Sequence, residues 1–410
     1  MRIAFVDLWF SWPPIGGAQA NMFHTIEGLR QAGHEVRLFA PVYDDLWHHA
    51  GYEPEALPFP SEPVTMNWAR TTARGLCQWL RPAVDAWRPD VVFMGFGRYC
   101  KPYLIEALAH YPIISRYFLY EHLCIRDGCL YKDYETCLND FLRTPNVCRK
   151  CTVDFWEDWL KQSDTPPDIR DLTNAGVLTP RYHRLFVESL GKCRAAVVNN
   201  AMAKERIDDY CPVVRVIPSG VKVKEREYLP LRDKPARERK VILMSGRTTD
   251  PLKGMQVLAD AGSGLARYRS DFEIWVTGDD DPFQEPWFKA CGWQGQGETM
   301  DLYREADIVV VPSVWAEPFG RVAVEGMAAG RPVVASRIGG LQEIVRPGET
   351  GDLFEANSSA ELALILERML DNPEECARMG DRARETAANE YDWEHIVEAY
   401  YLPLLEQVTS

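Results

Sequence analysis

The chain alternates short apolar segments with helical segments twice along its length, and this alternation constrains the fold most. In the first half, the apolar segments are residues 3–6, 35–39, 90–94, 112–115 and 195–198. In the second half, they are residues 241–245, 272–277, 308–311 and 332–335. Strands that alternate with helices usually pair in parallel and are covered on both faces. The pattern therefore predicts an α/β protein with two doubly wound parallel sheets.

Length, composition and charge narrow the class of protein. The chain has 410 residues, 46% apolar and 26% charged, which suits two globular domains with complete cores. A formal net charge of −14 disfavours a nucleic-acid-binding protein, because such proteins are normally basic. No apolar run reaches about 18 residues, so no transmembrane segment is expected. The chain starts with a strand-like segment that lacks a signal-peptide pattern, and we expect a cytoplasmic protein.

Residues 311–351 carry the strongest functional signal. Glu317 and Glu325 bracket a Pro-Phe-Gly turn that ends at Gly320, and a helix-like run then leads into the strand at 332–335. A carboxylate accepts two hydrogen bonds well, and neighbouring hydroxyls of a sugar or ribose are natural donors to it. Gly320 allows backbone N–H groups at a helix start to approach an anion closely. The segment therefore indicates a binding site for a nucleotide sugar.

This segment resembles the signature of retaining glycosyltransferases of family four. The family pattern is E-P-F-G followed by E-A-M-A-x-G-x-P-V-V, and this chain has E-P-F-G at 317–320 and E-G-M-A-A-G-R-P-V-V at 325–334. Gly326 replaces the usual alanine, which slightly lowers helix propensity. The resemblance covers nearly the whole chain. It implies the GT-B fold, in which two Rossmann-like domains face each other across a cleft.

The resemblance also implies a division of the chain into domains. Residues 1–221 would form the acceptor-binding domain, with a cysteine-rich insertion at about 124–175. Residues 222–392 would form the domain that binds the nucleotide sugar, and residues 222–240 are predicted to be the linker. A final helix within 393–410 would cross back onto the first domain.

Two cations match the phosphate-binding residues of the family. Arg247 and Lys253 follow the strand at 241–245, where they would neutralise the diphosphate as its charge grows on leaving. Without the resemblance, they would read as two solvated surface charges. The complete set of donor-binding residues implied by the resemblance is Gly16, Gly17, Arg247, Lys253, Glu317, Phe319, Gly320 and Glu325.

Each of the remaining donor residues has an implied task. Glu317, with the backbone of Phe319 and Gly320, would hold the transferred sugar, and Glu325 would hold the ribose hydroxyls. The glycine pair at 16–17 lies between the first strand and the first helix, where glycines permit close approach of the backbone to a ligand.

The catalytic step requires few protein groups if the resemblance holds. In such enzymes the acceptor hydroxyl attacks the face that the diphosphate leaves, and a phosphate oxygen takes its proton. Many members carry a histidine near the sugar, and Glu121 or His122 occupies that region here in a different register. We expect them to contact substrate, the alternative being an ordinary loop histidine. The implied catalytic residues are Arg247, Lys253, Glu317 and His122.

Five of the eleven cysteines fall between residues 124 and 151. Thiols in such a chain indicate reduced cysteines or metal ligands rather than a disulfide framework. The C-x-x-C pair at 148–151 suits two ligands of one tetrahedral zinc ion. With the resemblance to cysteine-bearing insertions in some family members, the predicted ligands of a structural zinc are Cys124, Cys137, Cys148 and Cys151. Cys129 is left over, and the alternatives are metal-free thiols or an iron–sulfur cluster.

A basic stripe gives a weaker signal. The arginines that fall near one face of a helical wheel are Arg70, Arg74, Arg81 and Arg88. Such a stripe can bind an anionic membrane surface or acceptor, although we favour an ordinary solvated face. Pro82 is expected to disturb a continuous helix here.

The sequence therefore predicts a retaining hexosyltransferase that requires no cofactor for catalysis and uses a nucleotide diphosphate sugar, with UDP favoured. The acceptor is a hydroxyl, on a small natural product such as a cyclitol or aminoglycoside, or on a polysaccharide or lipid-linked glycan. The alternatives are a nucleotide-sugar epimerase or a phosphorylase on the same scaffold, and a non-catalytic docking protein. Peripheral membrane contact is possible but not favoured.

Overall fold

The computed structural model describes residues 1–43, 51–67, 71–132, 135–162, 175–224, 228–278, 282–292 and 296–410. The chain forms two compact units. The first comprises Met1–Leu130, Cys137–Pro218 and Ile396–Ser410, and the second comprises Tyr131–Thr136 and Ser219–His395. Arg70 of the basic stripe, part of the predicted linker and part of the predicted insertion lie outside the described residues.

The first unit is built on a parallel sheet of seven strands. Its strands, in chain order, are β1 (Arg2–Val6), β2 (Glu35–Tyr43), β3 (Ser61–Met66), β4 (Val91–Met94), β5 (Ile113–Arg116), β8 (Ala195–Val198) and β9 (Val214–Val216). In chain order, β6 (Tyr131–Lys132) and β7 (Glu135–Thr136) follow β5; they form a two-stranded antiparallel pair that is assigned to the second unit. The order across the large sheet is β3-β2-β1-β4-β5-β8-β9, with β1 near the centre. Strands β1, β4, β5 and β8 are almost wholly buried apolar runs, as expected of a parallel sheet covered on both faces.

The second unit is built on a parallel sheet of six strands. They are β10 (Lys240–Met244), β11 (Phe272–Val276), β12 (Phe288–Ala290), β13 (Ile308–Val311), β14 (Val333–Ser336) and β15 (Gly351–Phe354). Their order across the sheet is β12-β11-β10-β13-β14-β15. Adjacent residues of a strand lie in different hydrophobic clusters. On β10, Leu243 lies in one cluster and Ile242 in the other; on β13, Val309 lies in the first cluster and Val310 in the second. Both faces of this sheet are therefore covered, and the predicted α/β fold with two Rossmann-like sheets is confirmed.

The helices cover these sheets between successive strands. Those of the first unit are α1 (Gly17–Gln31), α2 (Ala73–Trp87), α3 (Lys101–Leu108), α4 (Pro145–Gln162), α5 (Pro180–Lys192) and α6 (Ala201–Ile207). Those that follow are α7 (Met255–Leu265), α8 (Gln296–Glu305), α9 (Arg321–Ala328), α10 (Leu341–Ile344), α11 (Ser359–Asp371), α12 (Pro373–Glu390), α13 (Trp393–Ile396) and α14 (Leu402–Thr409). A π-helical turn, Val397–Tyr401, joins the last two and packs Tyr401 against Phe93 in the first unit, with ring centroids 5.9 Å apart.

Helix α2 corrects one prediction. The helix continues through Pro82 instead of breaking there, because Pro82 lies on the exposed face. Its buried face consists of Leu76, Leu80, Val84 and other apolar residues. On the exposed face, Arg81 pairs with Asp85 at 3.6 Å, one turn further along the helix. In the described residues, no helix is long and apolar enough to cross a membrane.

Candidate functional site

The loops after β10 and β13 lie against each other in the second unit. Gly254 begins α7 with a positive φ of 77°, and a Cβ atom there would lie 1.9 Å from the carbonyl oxygen of Pro312. Only glycine allows this approach. The backbone N–H of Val314 also donates to the carbonyl of Leu252 at 3.0 Å. The two loops are therefore held together at the carboxyl ends of adjacent strands, where α/β sheets bind their ligands.

This approach brings two predicted site residues into direct contact. The ammonium group of Lys253 donates to Oε1 of Glu317 as an ion pair. Ser313 donates from its hydroxyl to the same oxygen at 3.0 Å. The Lys253 ammonium also lies 5.3 Å from the ring centroid of Trp315. Lysine has three N–H donors, so Lys253 can keep this pair and still donate to a phosphate.

Glycines fold the segment between the two carboxylates. Gly320 has φ of 110°, and a Cβ there would lie 2.5 Å from Leu341 Cδ2. A Cβ on Gly339 would lie 2.4 Å from the carbonyl oxygen of Glu317, and the N–H of Gly340 donates to that oxygen at 2.7 Å. The turn of Glu317, Phe319 and Gly320 is therefore fixed by close packing, with the Phe319 side chain 8% exposed.

Glu325 projects from α9, and two side chains hold its carboxylate. Arg321 donates from Nε to Oε1 at 2.8 Å, and the Tyr303 hydroxyl donates to Oε2 at 3.3 Å. The Glu325 side chain is 18% exposed, so it keeps an accessible edge. Nη1 of Arg321 is buried and has no hydrogen-bond partner in the described part of the chain. Each carboxylate oxygen retains a lone pair for a further donor.

Arg247 differs from these residues because its side chain is exposed. It follows β10 and the positive-φ residue Gly246, whose N–H donates to the Thr277 hydroxyl at 2.8 Å. Among the residues described, no ion-pair partner of Arg247 is found. Its guanidinium group is therefore available to an anion at the carboxyl end of the sheet.

In the first unit, Gly16 and Gly17 stand at the start of α1, and both are exposed. Gly16 has an extended backbone and makes no side-chain cap. The side chain of Gln19 accepts from the N–H of Ile15 at 3.1 Å and donates to the carbonyl of Trp9 at 3.0 Å. These contacts shape the loop that leads into α1 and leave the backbone of the glycine pair at the surface.

His122 lies inside the first unit. It is 1% exposed, its ring centroid is 4.6 Å from that of Tyr117, and neither ring nitrogen has a hydrogen-bond partner in the described residues. Burial, followed by the charges of Lys101 and Arg206, lowers the pKa of His122 to about 3, so the ring is neutral near pH 7. The predicted substrate contact would require this ring to become exposed.

The four predicted zinc ligands are free thiols, each partly exposed. Burial raises the pKa of Cys124 to about 11, and burial together with the neighbouring thiols of Cys124 and Cys137 raises that of Cys148 to about 12. Cys148 and Cys151 lie on α4. Thiol chemistry suits zinc, yet in the described residues no group of three or more potential ligands is arranged to hold a metal.

Sequence reasoning missed several residues that shape the site. Ser313 and Trp315 contact the Lys253–Glu317 pair, and Tyr303 contacts Glu325. Of the contacts to the two glutamates, the sequence could have predicted that of Arg321, which lies four residues before Glu325 and therefore on the same helix face.

The chain is similar to known proteins over part of its length and, at lower identity, over nearly all of it. Residues 231–386 match the family described as glycosyl transferases group 1. The chain is 33% identical over 202 residues to a phosphatidyl-myo-inositol mannosyltransferase of Mycobacterium leprae (strain TN), covering 47% of this chain and 54% of that protein. The enzyme of the same name from Mycolicibacterium smegmatis (strain ATCC 700084 / mc(2)155) is 24% identical over 422 residues, covering 100% and 95%. A D-inositol 3-phosphate glycosyltransferase of Arthrobacter sp. (strain FB24) is 33% identical over 190 residues, covering 41% and 44%.

The match at higher identity thus spans about half the length of these curated relatives. Among solved structures, a sucrose-phosphate synthase from Thermosynechococcus elongatus has the same fold, with a TM-score of 0.68 and 19% identity over 99% of both chains. The parallel sheets of both units and the likeness to this solved structure show a GT-B type of α/β fold, and residues 231–386 are similar to the group 1 glycosyltransferases.

Proposed function

We propose that the protein transfers a hexose-type sugar from a nucleotide diphosphate sugar, with UDP as the first choice, to a hydroxyl of a small cyclitol acceptor. The observation that carries this proposal is the contact of Lys253 with Glu317 at the carboxyl ends of β10 and β13. One cation for a phosphate stands beside one acceptor for sugar hydroxyls, and the packing of Gly254 holds them there.

In this proposal the anomeric configuration is retained. The acceptor oxygen bonds to the anomeric carbon while the bond from that carbon to the diphosphate oxygen breaks, and a phosphate oxygen takes the acceptor's proton. Arg247 and Lys253 stabilise the negative charge that grows on the diphosphate. Glu317 accepts hydrogen bonds from the transferred sugar, and Glu325, oriented by Arg321, accepts them from the ribose.

The choice of acceptor rests on the relatives. Two of the matched activities are named for phosphatidyl-myo-inositol and D-inositol 3-phosphate, which share an inositol ring. A cyclitol offers several neighbouring hydroxyls, one of which serves as the nucleophile. We therefore propose an inositol-like acceptor ahead of a polysaccharide or lipid-linked glycan.

The test is a transfer assay with purified full chain. UDP-glucose, UDP-N-acetylglucosamine and GDP-mannose are each incubated with myo-inositol and with D-myo-inositol 3-phosphate, and NMR coupling constants of the product give the anomeric configuration. Lys253→Ala should lower turnover at least a hundredfold, since it removes a charge that meets the transition state. Lys289→Ala, which replaces another lysine of the same unit, is the control.

Other outcomes would reject the proposal in recognisable ways. Conversion of the nucleotide sugar without any acceptor would indicate an epimerase. Transfer with inversion would remove the proposed mechanism. Binding of nucleotide sugar without any turnover on cyclitols, but with turnover on a glycan polymer, would replace the acceptor class.

A further inference from the structure

A cavity of about 280 Å³ lies in the second unit, at the edge of the sheet where the strands begin. Its wall includes Lys240, the first residue of β10, and Asp307, which directly precedes β13. Lys253 and Glu317 follow the same two strands, which are parallel neighbours, and therefore lie at the opposite edge of the sheet. The cavity is thus separate from the candidate nucleotide site and has no part in the proposed transfer.

Much of the wall is apolar. Ile308 lies at the start of β13, Met369 and Leu370 lie in the last turn of α11, and Leu231 precedes β10. All four belong to one hydrophobic cluster or pack against it, so the core of the unit holds this part of the wall in place. Ligand pockets combine such apolar walls with a few charged groups, and the volume suits a small ligand. The wall therefore offers a fixed surface for an apolar group.

Two lysines of the wall share one carboxylate. The ammonium group of Lys234 lies 2.7 Å from Oδ2 of Asp307, and that of Lys240 lies 3.8 Å from Oδ1. Oδ2 also accepts from the N–H of Val241 at 2.8 Å. A lysine has three N–H donors, and among the described residues the contact with Asp307 is the one found for the Lys234 ammonium group. The positive charges at this point therefore exceed the negative charge that serves them by one.

The other charged residues of the wall leave this surplus in place. Arg232 pairs with an aspartate of α12 at 3.0 Å. Glu374 is exposed, so water solvates its carboxylate. Burial lowers the pKa of Lys234, and the charge of Lys240 adds to this effect, although Asp307 acts in the opposite direction. A negative group bound in the cavity would therefore offset a charge that the fold itself compensates only in part.

The start of α12 adds further positive potential to the wall. Pro373 and Glu374, the first two residues of this helix, both line the cavity. The preceding residue, Asn372, makes no side-chain cap, because its amide donates to the carbonyl of Arg368 at 2.7 Å. The first N–H groups of a helix carry partial positive charge, and α12 is 18 residues long. The lysines and the uncapped helix therefore favour the same kind of ligand group.

We propose that this cavity binds a small aliphatic carboxylate, whose anionic group meets Lys240 and the start of α12 while its chain packs against the apolar wall. Lys240 is the accessible cation, with a side chain 37% exposed, whereas Lys234 is 5% exposed and acts through its charge alone. A single surplus positive charge suits a carboxylate better than a phosphate monoester, which carries nearly two negative charges at pH 7. Because this ligand and a nucleotide lie at opposite edges of the sheet, both can bind at once.

Titration calorimetry on the full chain at pH 7 tests the two halves of the ligand separately. The probes are octanoate, 1-octanol and acetate, and octanoate should bind about tenfold more tightly than either of the others. Lys240→Gln should weaken octanoate about tenfold, the loss of one charge-assisted hydrogen bond, and leave 1-octanol unchanged. Ala377→Phe, which fills the cavity from α12, should abolish binding of both. The matched controls are Lys289→Gln, on β12 of the same sheet, and Ala360→Phe, at an exposed position of α11.

Several results would overturn the proposal. The titration is repeated with saturating UDP, and an unchanged affinity for octanoate is expected. Displacement of octanoate by UDP would place the probe in the nucleotide site, and the proposed cavity would be wrong. Equal affinities for octanoate and 1-octanol, equal octanoate affinities of the wild type and Lys240→Gln, or no binding of any probe would also refute it. Should Ala377→Phe unfold the unit, as melting temperatures would show, Lys240→Gln still decides, because this partly exposed side chain can be replaced without opening the core.

Discussion

Replacing Gly326 by alanine tests how the sheet positions Glu325. Gly326 is the residue after Glu325 on α9, and it faces β13. A Cβ atom at this position would lie 3.1 Å from three atoms of Val309, namely Cβ, Cγ1 and Cγ2, whereas ordinary contacts measure 3.4–4 Å. Alanine would therefore push the helix and the strand apart by a few tenths of an ångström.

The expected magnitude follows from two opposing effects. Alanine in place of glycine raises helix propensity by up to about 1 kcal/mol. Overpacking of a filled core costs roughly 1–3 kcal/mol. Val309 is fully buried in a strand, so it has little room to yield. We expect Gly326→Ala to destabilise the second unit by about 1 kcal/mol.

The companion variant Val309→Ala isolates the contact. It removes two of the three atoms that the new Cβ would meet and opens space into which the remaining Cβ of residue 309 can shift, so in this background Gly326→Ala should stabilise by up to about 1 kcal/mol. The coupling energy of the double-mutant cycle is then about 2 kcal/mol. Gly264→Ala is the matched control, because a Cβ at Gly264, on helix α7, meets nothing within 4 Å. It should be stabilising or neutral.

Hydrogen exchange of amides in β13, combined with urea unfolding, measures these free energies for the second unit. Gly326→Ala should also bind nucleotide more weakly than the wild type, because the displaced helix carries Glu325. The double variant should recover this affinity. A stabilising Gly326→Ala in the wild-type background, or an effect of the same sign in both backgrounds, would refute the argument from packing.

Three further predictions concern stability and metal content. Burial raises the pKa of Asp7 from 3.8 to about 7, with Lys101 and Glu121 nearby, so ionising Asp7 costs the folded state up to about 4 kcal/mol. This cost is absent below pH 4 and complete above pH 7. The melting temperature should therefore fall less steeply across that pH range in Asp7→Asn than in the wild type. An equal slope in the two proteins would contradict the assignment. Arg331 is fully buried and donates to the carbonyls of Tyr303, Arg304 and Leu229. Arg331→Met should therefore lower the free energy of unfolding in urea by at least about 3 kcal/mol. A loss under about 1 kcal/mol would show that those carbonyls find other donors. If the four predicted thiols close around a structural zinc, metal analysis of purified protein should find zinc that is lost in Cys148→Ser and kept in Cys77→Ser; a wild type without zinc would reject this sequence-based prediction.

The sequence predicted the central strands well because each is a short, fully buried apolar run. It missed the edge strands β3, β9, β12 and β15, which are short or contain polar residues, proline or glycine. Edge strands bury only part of their surface, so their composition resembles that of loops. The continuity of α2 through Pro82 was also missed, since an exposed proline on a helix that packs through its other face can be tolerated.

Some residues of the candidate site could be predicted from the sequence, but their contacts could not. Lys253 and Glu317 were each expected from the sequence, but their pairing depends on how closely Gly254 approaches Pro312, which spacing along the chain does not show. The burial of His122 follows likewise from packing against Tyr117 in the folded unit. Contacts between distant segments are set by tertiary packing, and no local pattern encodes them.

Nucleotide binding by the second unit is the most direct test of the central claim. Melting temperatures are recorded with UDP, GDP, ADP and TDP for the wild type, Arg247→Ala and Lys253→Ala. A ligand that binds only the folded state at a hundred times its dissociation constant stabilises it by about 2.7 kcal/mol. We predict that one nucleotide, UDP first, raises the melting temperature of the wild type and that both variants lose most of this shift. No shift with any nucleotide, or an equal shift in both variants, would contradict the account.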